Sequence, residues 1–553
     1  MKKTFYLIIL FSFFQVIVAQ NSYNLVWSLH EKPFQPPQVG SEMAIVKAGF
    51  DTDNDGKGEF LCAYTDLEEN YLLMYEATGD NTYDLVWYWK YPLKANTFAG
   101  IAVGDLDNNG KPEIIVTLPS QYDVNPNPPR LWVHEWTGVQ GENKYGNYTG
   151  GVHSPTTEWN FDLPNNTDFR PYSLTIEDID NDGMNELIVG VRQGGRGREV
   201  MVISVVGEFS GFATWDIEYN LQGLTGGSLY SVTTGDLDGD GKKEIYAFIW
   251  NFFTMYIIEC TAPNQYQLVD SLITIFQPTG VDYGALDAVR VADVNGDGIP
   301  EMYIAGTEPD NKVFVISNIT DVSTITANDV KVLYTIPVQG GGKLRTLWIA
   351  DTDKDGKLSL MIGGELNGQI FDLEYKGSGD PTDSTSWELS VAFDIFQHSG
   401  ISPTATPTIE PRLFYGCPAN DMDGDGKNEY LFINYRTSFS VWPGDGYVWM
   451  LEAETGTGIE DKDYSPEGYA LGQNYPNPFN PVTTIEYNIP KESIVQISVF
   501  NLLGEEVAKL VNEFKQAGRY SVSFNAADLP SGIYLYRIQA DNYSQTKKLS
   551  LVK

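Results

Sequence analysis

The sequence predicts an all-β protein: a seven-bladed β-propeller closed by a strand from its N-terminus, followed by a small β-sandwich. Three observations predict it. A nine-residue acidic stretch, fullest as Asp236-Leu-Asp238-Gly-Asp240-Gly241-Lys-Lys-Glu244, occurs in seven versions that begin at Asp51, Asp105, Asp178, Asp236, Asp293, Asp351 and Asp421. The starts are 54, 73, 58, 57, 58 and 70 residues apart, which suits a four-stranded blade with variable loops. Short alternating or apolar runs, rich in β-branched and aromatic residues, flank each copy and read as strand, loop, strand.

Taken in order, the units repeat one plan. First and second strands flank the acidic loop, as in Phe98 to Gly104 with Ile114 to Leu118 and Tyr230 to Thr234 with Ile245 to Trp250. A third run follows, such as Leu131 to Trp136, Val200 to Val206 or Ile370 to Tyr375, and then a fourth, such as Tyr83 to Trp89 or Trp387 to Phe393. After the seventh loop only Tyr430 to Tyr435 and Tyr447 to Glu452 remain, one strand short. Tyr23-Asn-Leu-Val-Trp27-Ser closely matches Tyr83-Asp-Leu-Val-Trp87-Tyr, the fourth run of the first unit. The N-terminus is therefore expected to supply the outer strand of the seventh blade, closing the ring and protecting edges that would template aggregation.

Carboxylates at positions one, three, five and nine, with glycine at six, describe a loop that gathers oxygens around a hard cation, and calcium takes six to eight of them. The candidate ligands are Asp51, Asp53, Asp55 and Glu59; Asp105, Asp107, Asn109 and Glu113; Asp178, Asp180, Asp182 and Glu186; and Asp236, Asp238, Asp240 and Glu244 in the first four loops. The last three offer Asp293, Asn295, Asp297 and Glu301; Asp351, Asp353 and Asp355; and Asp421, Asp423, Asp425 and Glu429. Up to seven structural calcium ions are expected. An EF-hand is excluded, because the glutamate it needs at position twelve is Cys62, Val116, Val189, Ala247, Ile304, Ile362 or Phe432, which reads as core.

The 553 residues carry a net charge of -38, much of it in these loops. Such acidity excludes a nucleic-acid partner, which needs clustered Lys and Arg. Met1-Lys2-Lys3 followed by the apolar run Phe5 to Val18 reads as a secretory signal peptide over residues 1–19, and no later stretch is apolar and long enough to cross a membrane. Three scattered cysteines, Cys62, Cys260 and Cys417, give no disulfide framework and read as buried thiols.

The loops and their flanking strands resemble the FG-GAP/VCBS repeats of integrin-α-like propellers over residues 20–453. The resemblance implies loops between the first and second strands of each blade, all on one face. Asn109 and Asn295 replace carboxylates with amide oxygens, and Ser359 replaces the ninth-position acid. The Asp51, Asp178, Asp236 and Asp421 loops should therefore bind best and the Asp351 loop worst.

Residues 454–468 read as a linker. From residue 469 to 553, runs such as Thr484 to Ile489, Val495 to Leu502, Tyr520 to Phe524, Ile533 to Ala540 and Lys547 to Val552 suggest a small immunoglobulin-like β-sandwich. Its motifs, Asn474-Tyr-Pro-Asn-Pro-Phe-Asn480-Pro481, Leu502-Leu-Gly504-Glu-Glu-Val507, Gly518-Arg-Tyr520, Leu529-Pro-Ser-Gly532-Ile-Tyr534 and Lys547-Lys548, resemble the type A C-terminal sorting domain of type IX secretion cargo. That resemblance implies export by the type IX secretion machinery of a Gram-negative bacterium, with the protein secreted or held at the outer cell surface.

His30, His134, His153 and His398 have no metal-ligand spacing, and no nucleophile elbow or phosphate loop is present. The expected function is a non-catalytic binding or adhesion module for a glycan or surface component. The alternatives are a polysaccharide-active enzyme with its site on the face opposite the acidic loops, and a passive surface scaffold. The long connections Pro119 to Arg130 and Gln397 to Pro411 fall on that opposite face.

Overall fold

Among the described residues the apolar and β-branched runs form strands, which associate as small antiparallel sheets. The computed structural model describes residues 23–29, 42–65, 70–92, 99–118, 129–150, 152–163, 168–194, 197–225, 227–249, 254–272, 287–306, 311–338, 342–399, 411–413, 415–434 and 448–453, and, with short gaps, 469–552. The signal peptide over 1–19, the linker over 454–468, His30, and most of the two long connections lie outside the described residues. The chain divides into two compact units, Met1–Gly456 and Thr457–Lys553.

The first unit contains seven four-stranded antiparallel sheets, numbered here one to seven by their acidic loops. Sheet four shows the plan: Leu229–Gly235, Glu244–Ile249, Thr254–Ala262 and Gln265–Leu272 pair in chain order, with the Asp236 loop joining the first two. The first strands of the other sheets are Glu42–Phe50, Gly100–Gly104, Phe169–Glu177, Val289–Ala292, Lys343–Ala350 and Gly416–Ala419. Sheet seven differs in origin: its outer strand is Tyr23–Ser28, antiparallel to Val448–Ala453, with Tyr23 opposite Ala453. The likeness between Tyr23-Asn-Leu-Val-Trp27-Ser and Tyr83-Asp-Leu-Val-Trp87-Tyr thus reflects equivalent outer positions, because Thr82–Lys90 is the outer strand of sheet one.

Cores form between neighbouring sheets. Phe60, Tyr75 and Tyr83 of sheet one pack with Leu431 and Met450 of sheet seven, and Phe60 and Tyr75 stack at 5.2 Å. The seven residues at loop position twelve, from Cys62 to Phe432, are all fully buried second-strand residues, as expected. The three cysteines are buried free thiols. Helix is confined, among the described residues, to Ile395–Ser399 and two single 3-10 turns.

In the second unit, Ala470–Leu471, Val482–Ile489 and Gly518–Asn525 form one sheet, and Glu506–Lys515, Ser493–Phe500, Gly532–Ala540 and Tyr543–Leu551 form another. Ile485, Tyr487, Ile497, Tyr536 and Leu549 share one core. The strand Glu506–Lys515 corrects the sequence reading, which passed over it. It is an edge strand carrying four charged side chains, and register shifts against Ser493–Phe500 blur its apolar alternation.

Candidate metal centres

Each acidic loop closes on its own first aspartate. The N–H of the sixth-position glycine donates to the second carboxylate oxygen of that aspartate in all seven loops, from Gly298 to Asp293 at 2.7 Å to Gly183 to Asp178 at 3.1 Å. These glycines have φ between +84° and +98°, where a side chain would be strained. Position five accepts the N–H of position seven in every loop, as from Lys242 to Asp240 at 2.8 Å.

The ninth-position glutamates are buried beneath the loops. One oxygen accepts the N–H of position two: Thr52 to Glu59 and Met422 to Glu429 at 2.8 Å, Leu106 to Glu113 at 2.7 Å, Ile179 to Glu186 and Leu237 to Glu244 at 3.0 Å. The other oxygen, Oε1, of Glu59, Glu113, Glu186 and Glu429 has no hydrogen-bond partner. Burial, reinforced by the loop aspartates, pushes the carboxyls of Glu59, Glu186 and Glu429 up to about 8 and that of Glu113 to about 9. Those of Glu244 and Glu301 rise to about 7, also through burial.

Carboxylate oxygens of Asp236, Asp238, Asp240 and Glu244 lie within 4.8 Å of one another, as do those of Asp421, Asp423, Asp425 and Glu429, Asp51, Asp53 and Glu59, and Asp105, Asp107 and Glu113. Oxygens on a shell about 2.4 Å from a calcium ion are at most about 4.8 Å apart. Converging oxygens, an unpartnered buried acceptor and an all-oxygen donor set fit a hard divalent cation.

The loops also grip their neighbours. The second oxygen of the third-position aspartate accepts a backbone N–H from the hairpin joining the last two strands of the next sheet: Phe209 to Asp107 at 2.7 Å, Asn264 to Asp180 at 2.5 Å, Val322 to Asp238 at 3.2 Å and Asn81 to Asp423 at 2.6 Å. Position four reaches the carbonyl of the next loop's glycine, through Asn108 to Gly183 at 2.7 Å, Asn181 to Gly241 at 2.6 Å and Lys354 to Gly426 at 2.9 Å.

A cavity of about 450 Å³ is lined by residues on or just before the first strands of all seven sheets. Tyr172, Tyr230, Asp287 and Tyr415 line it six positions before their loops, at the end remote from them; Phe50, Val103 and Ile176 line the end beside the loops.

Residues 473–552 match the family described as "Secretion system C-terminal sorting domain", and residues 51–116 and 178–247 match the "FG-GAP-like repeat" family. The chain carries FG-GAP-like repeats and a type IX secretion sorting domain. A sorting domain of this kind implies a protein that is secreted or located at the outer surface. No helix among the described residues is long and apolar enough to cross a membrane. No curated protein matches. Among solved structures, PorZ, a surface component of the type IX secretion system of Porphyromonas gingivalis, aligns at 12% identity over 95% of this chain and 61% of its own, with a TM-score of 0.37. This chain thus spans under two thirds of PorZ. A fungal alcohol oxidase of the AA5 family, in complex with copper, aligns at 10% identity over 97% of this chain and 100% of its own, with a TM-score of 0.37. A chain of the Chaetomium thermophilum Polycomb Repressive Complex 2 aligns at 11% identity over 64% and 72%, with a TM-score of 0.35.

The two FG-GAP-like matches contain the first four loops; the Asp293, Asp351 and Asp421 loops repeat their glycine and position-seven hydrogen bonds. Sequence reasoning missed five acids on the third strands of these sheets. Glu76, Glu135, Glu259 and Glu452 pair directly across from the ninth-position glutamates, and Glu374 pairs across from Ser359. Lys57 meets Glu76 and Lys111 meets Glu135 at 3.1 Å, Lys357 meets Glu374 at 3.3 Å, and Lys427 meets Glu452. Glu76 also groups with Asp53 and Asp55. The available signal was a glutamate closing an otherwise mostly apolar third run, as in Leu72-Leu-Met-Tyr-Glu76.

Proposed function

We propose that the protein is a calcium-stabilised, seven-bladed β-propeller that acts outside the cell as a non-catalytic binding or adhesion module for a glycan or another surface component. The observation that carries this reading is the recurrence of one loop geometry in seven sheets, with buried carboxylate oxygens that have no protein partner. A cation would be held by the first-, third- and fifth-position side chains and the free oxygen of the ninth, where it supplies positive charge to cross-link them. A device repeated in every sheet serves the scaffold and leaves recognition to what is unique. The cavity edged by all seven sheets and the N-terminal strand in sheet seven support a closed ring.

At about 1 mM free calcium and a Kd of about 0.1 mM, one site adds about 1.4 kcal/mol and seven on the order of 10 kcal/mol. That equals the whole stability of many domains. Thermal unfolding of the full chain tests this: EDTA should lower Tm strongly and added calcium should restore it, whereas an unchanged Tm would overturn the calcium reading. A glycan panel run in calcium should show binding without turnover.

A second reading, a polysaccharide-active enzyme, draws on Tyr172, Tyr230, Tyr415 and Asp287 at one level of the cavity. Release of shortened oligosaccharide in the same panel would establish it in place of simple binding.

A further inference from the structure

We propose that the cavity binds a carboxylate-bearing saccharide, with Lys47 and Arg290 receiving the carboxylate. The proposal rests on the binding reading and names its ligand class. The chain has a net charge of -38, yet this cavity is lined by two cations, Lys47 and Arg290, and one carboxylate, Asp287. The Arg290 guanidinium lies 3.7 Å from the centre of the Trp348 ring and donates to Asp287 at 2.9 Å and to the Val289 carbonyl at 2.6 Å. The Lys47 ammonium lies 5.8 Å from the same ring, and no described carboxylate forms an ion pair with it. Two cations share one indole, and Asp287 balances one of them.

The surplus of one positive charge matches a monoanion. A sulfate or phosphate dianion would set its second charge against Asp287. The rest of the lining suits a sugar. Thr175 and Thr233 line the cavity, and Ser231 donates to Asp287 at 2.9 Å. Tyr172 and Tyr230 lie edge to face at 5.8 Å at the end away from the FG-GAP-like loops, with the Arg192 guanidinium 5.3 Å and 4.8 Å from their ring centres. The volume of about 450 Å³ admits one to a few sugar units, within the roughly 300–1,000 Å³ typical of small-ligand sites.

The test is calorimetric titration of the full chain, in calcium, with galacturonic acid and its di- and trisaccharide, their methyl esters, and sodium sulfate, with tryptophan fluorescence read in parallel. The acids should bind at least tenfold more tightly than the esters and perturb a signal that Trp348→Phe removes. Lys47→Met should weaken the acids at least tenfold and leave the esters unchanged, with Lys47→Arg restoring them. Added sodium chloride should weaken the acids alone, which tests the charge without any variant. Esters that bind as well as acids, an affinity for the acids untouched by Lys47→Met and by salt, or sulfate bound as tightly would overturn the proposal while the binding reading stands. If no acidic or neutral glycan binds, both fall.

Discussion

The backbone N–H of Asn81, at a hairpin of sheet one, donates to Oδ2 of Asp423 in the seventh loop at 2.6 Å, across 342 positions of sequence. The same carboxylate is a candidate cation ligand, so one side chain serves its own loop and the seam between the first and last sheets.

Asp423→Ala should therefore cost about 1–3 kcal/mol even in EDTA, the usual range for stranding a hydrogen-bond partner. Asp425→Ala, whose carboxylate bonds only within its own loop and to Lys427, should be felt chiefly in calcium. Urea unfolding of both variants, with and without calcium, separates the two roles. Equal losses in EDTA would remove the special place of Asp423.

Position four of every loop lies in the left-handed region: Asn54, Asn108, Asn181, Gly239, Gly296, Lys354 and Gly424 have φ from 55° to 80°. Lys354 is the misfit, since only glycine and asparagine visit that region readily. Asparagine at this position in loops two and three also makes the reach to the next loop that Lys354 makes. Lys354→Asn should thus keep the tie and stabilise the protein by about 1 kcal/mol, seen as a raised urea midpoint with an unchanged slope.

Tyr23, on the N-terminal strand of sheet seven, hydrogen-bonds Thr352 at 2.7 Å and donates to Asp372 at 2.8 Å in sheet six. Thr352 occupies the place from which Thr52 bonds Glu59, and Ser359 stands where that glutamate would be. Tyr23→Phe removes the hydroxyl and should cost about 1–3 kcal/mol. A loss within error would show that sheet seven does not depend on this contact.

His134 packs against Trp87 at 5.2 Å and Trp89 at 4.6 Å, with neither ring nitrogen bonded, and burial drives its pKa down to about 3. The unfolded chain takes up a proton below about pH 6.5 that the folded chain refuses. The stability associated with His134 is therefore complete above that pH and falls by about 1.4 kcal/mol per pH unit below it, until the folded value is reached. Unfolding free energies of wild type minus His134→Phe should be flat above pH 7 and decline towards pH 4. A flat difference throughout would mean that the folded histidine protonates freely.

The acidic loops, their number and the strands on either side were legible in the sequence because their rules are local. Three carboxylates at alternate positions and a glycine at a left-handed turn depend on nearest neighbours, so Asp236 to Glu244 could be read in isolation. The equivalence of Tyr23–Ser28 with Thr82–Lys90 was legible too, since both carry Tyr, Leu, Val and Trp at the same spacing. The edge strand Glu506–Lys515 was not, because a charged edge lacks clean alternation.

Tertiary structure alone decided which side chains meet across strands and sheets. Register placed Glu76 opposite Glu59, and the packing of sheets one and seven brought Asn81 to Asp423. Six positions before their loops, Tyr172, Tyr230 and Asp287 look like ordinary strand beginnings; the assembly of seven first strands turns them towards one cavity. The sequence by itself determined the repeat and the chemistry of each loop, because both are written in short-range order. The seams and the cavity arise from contacts between residues distant in the chain, whose partners are chosen only when the sheets pack.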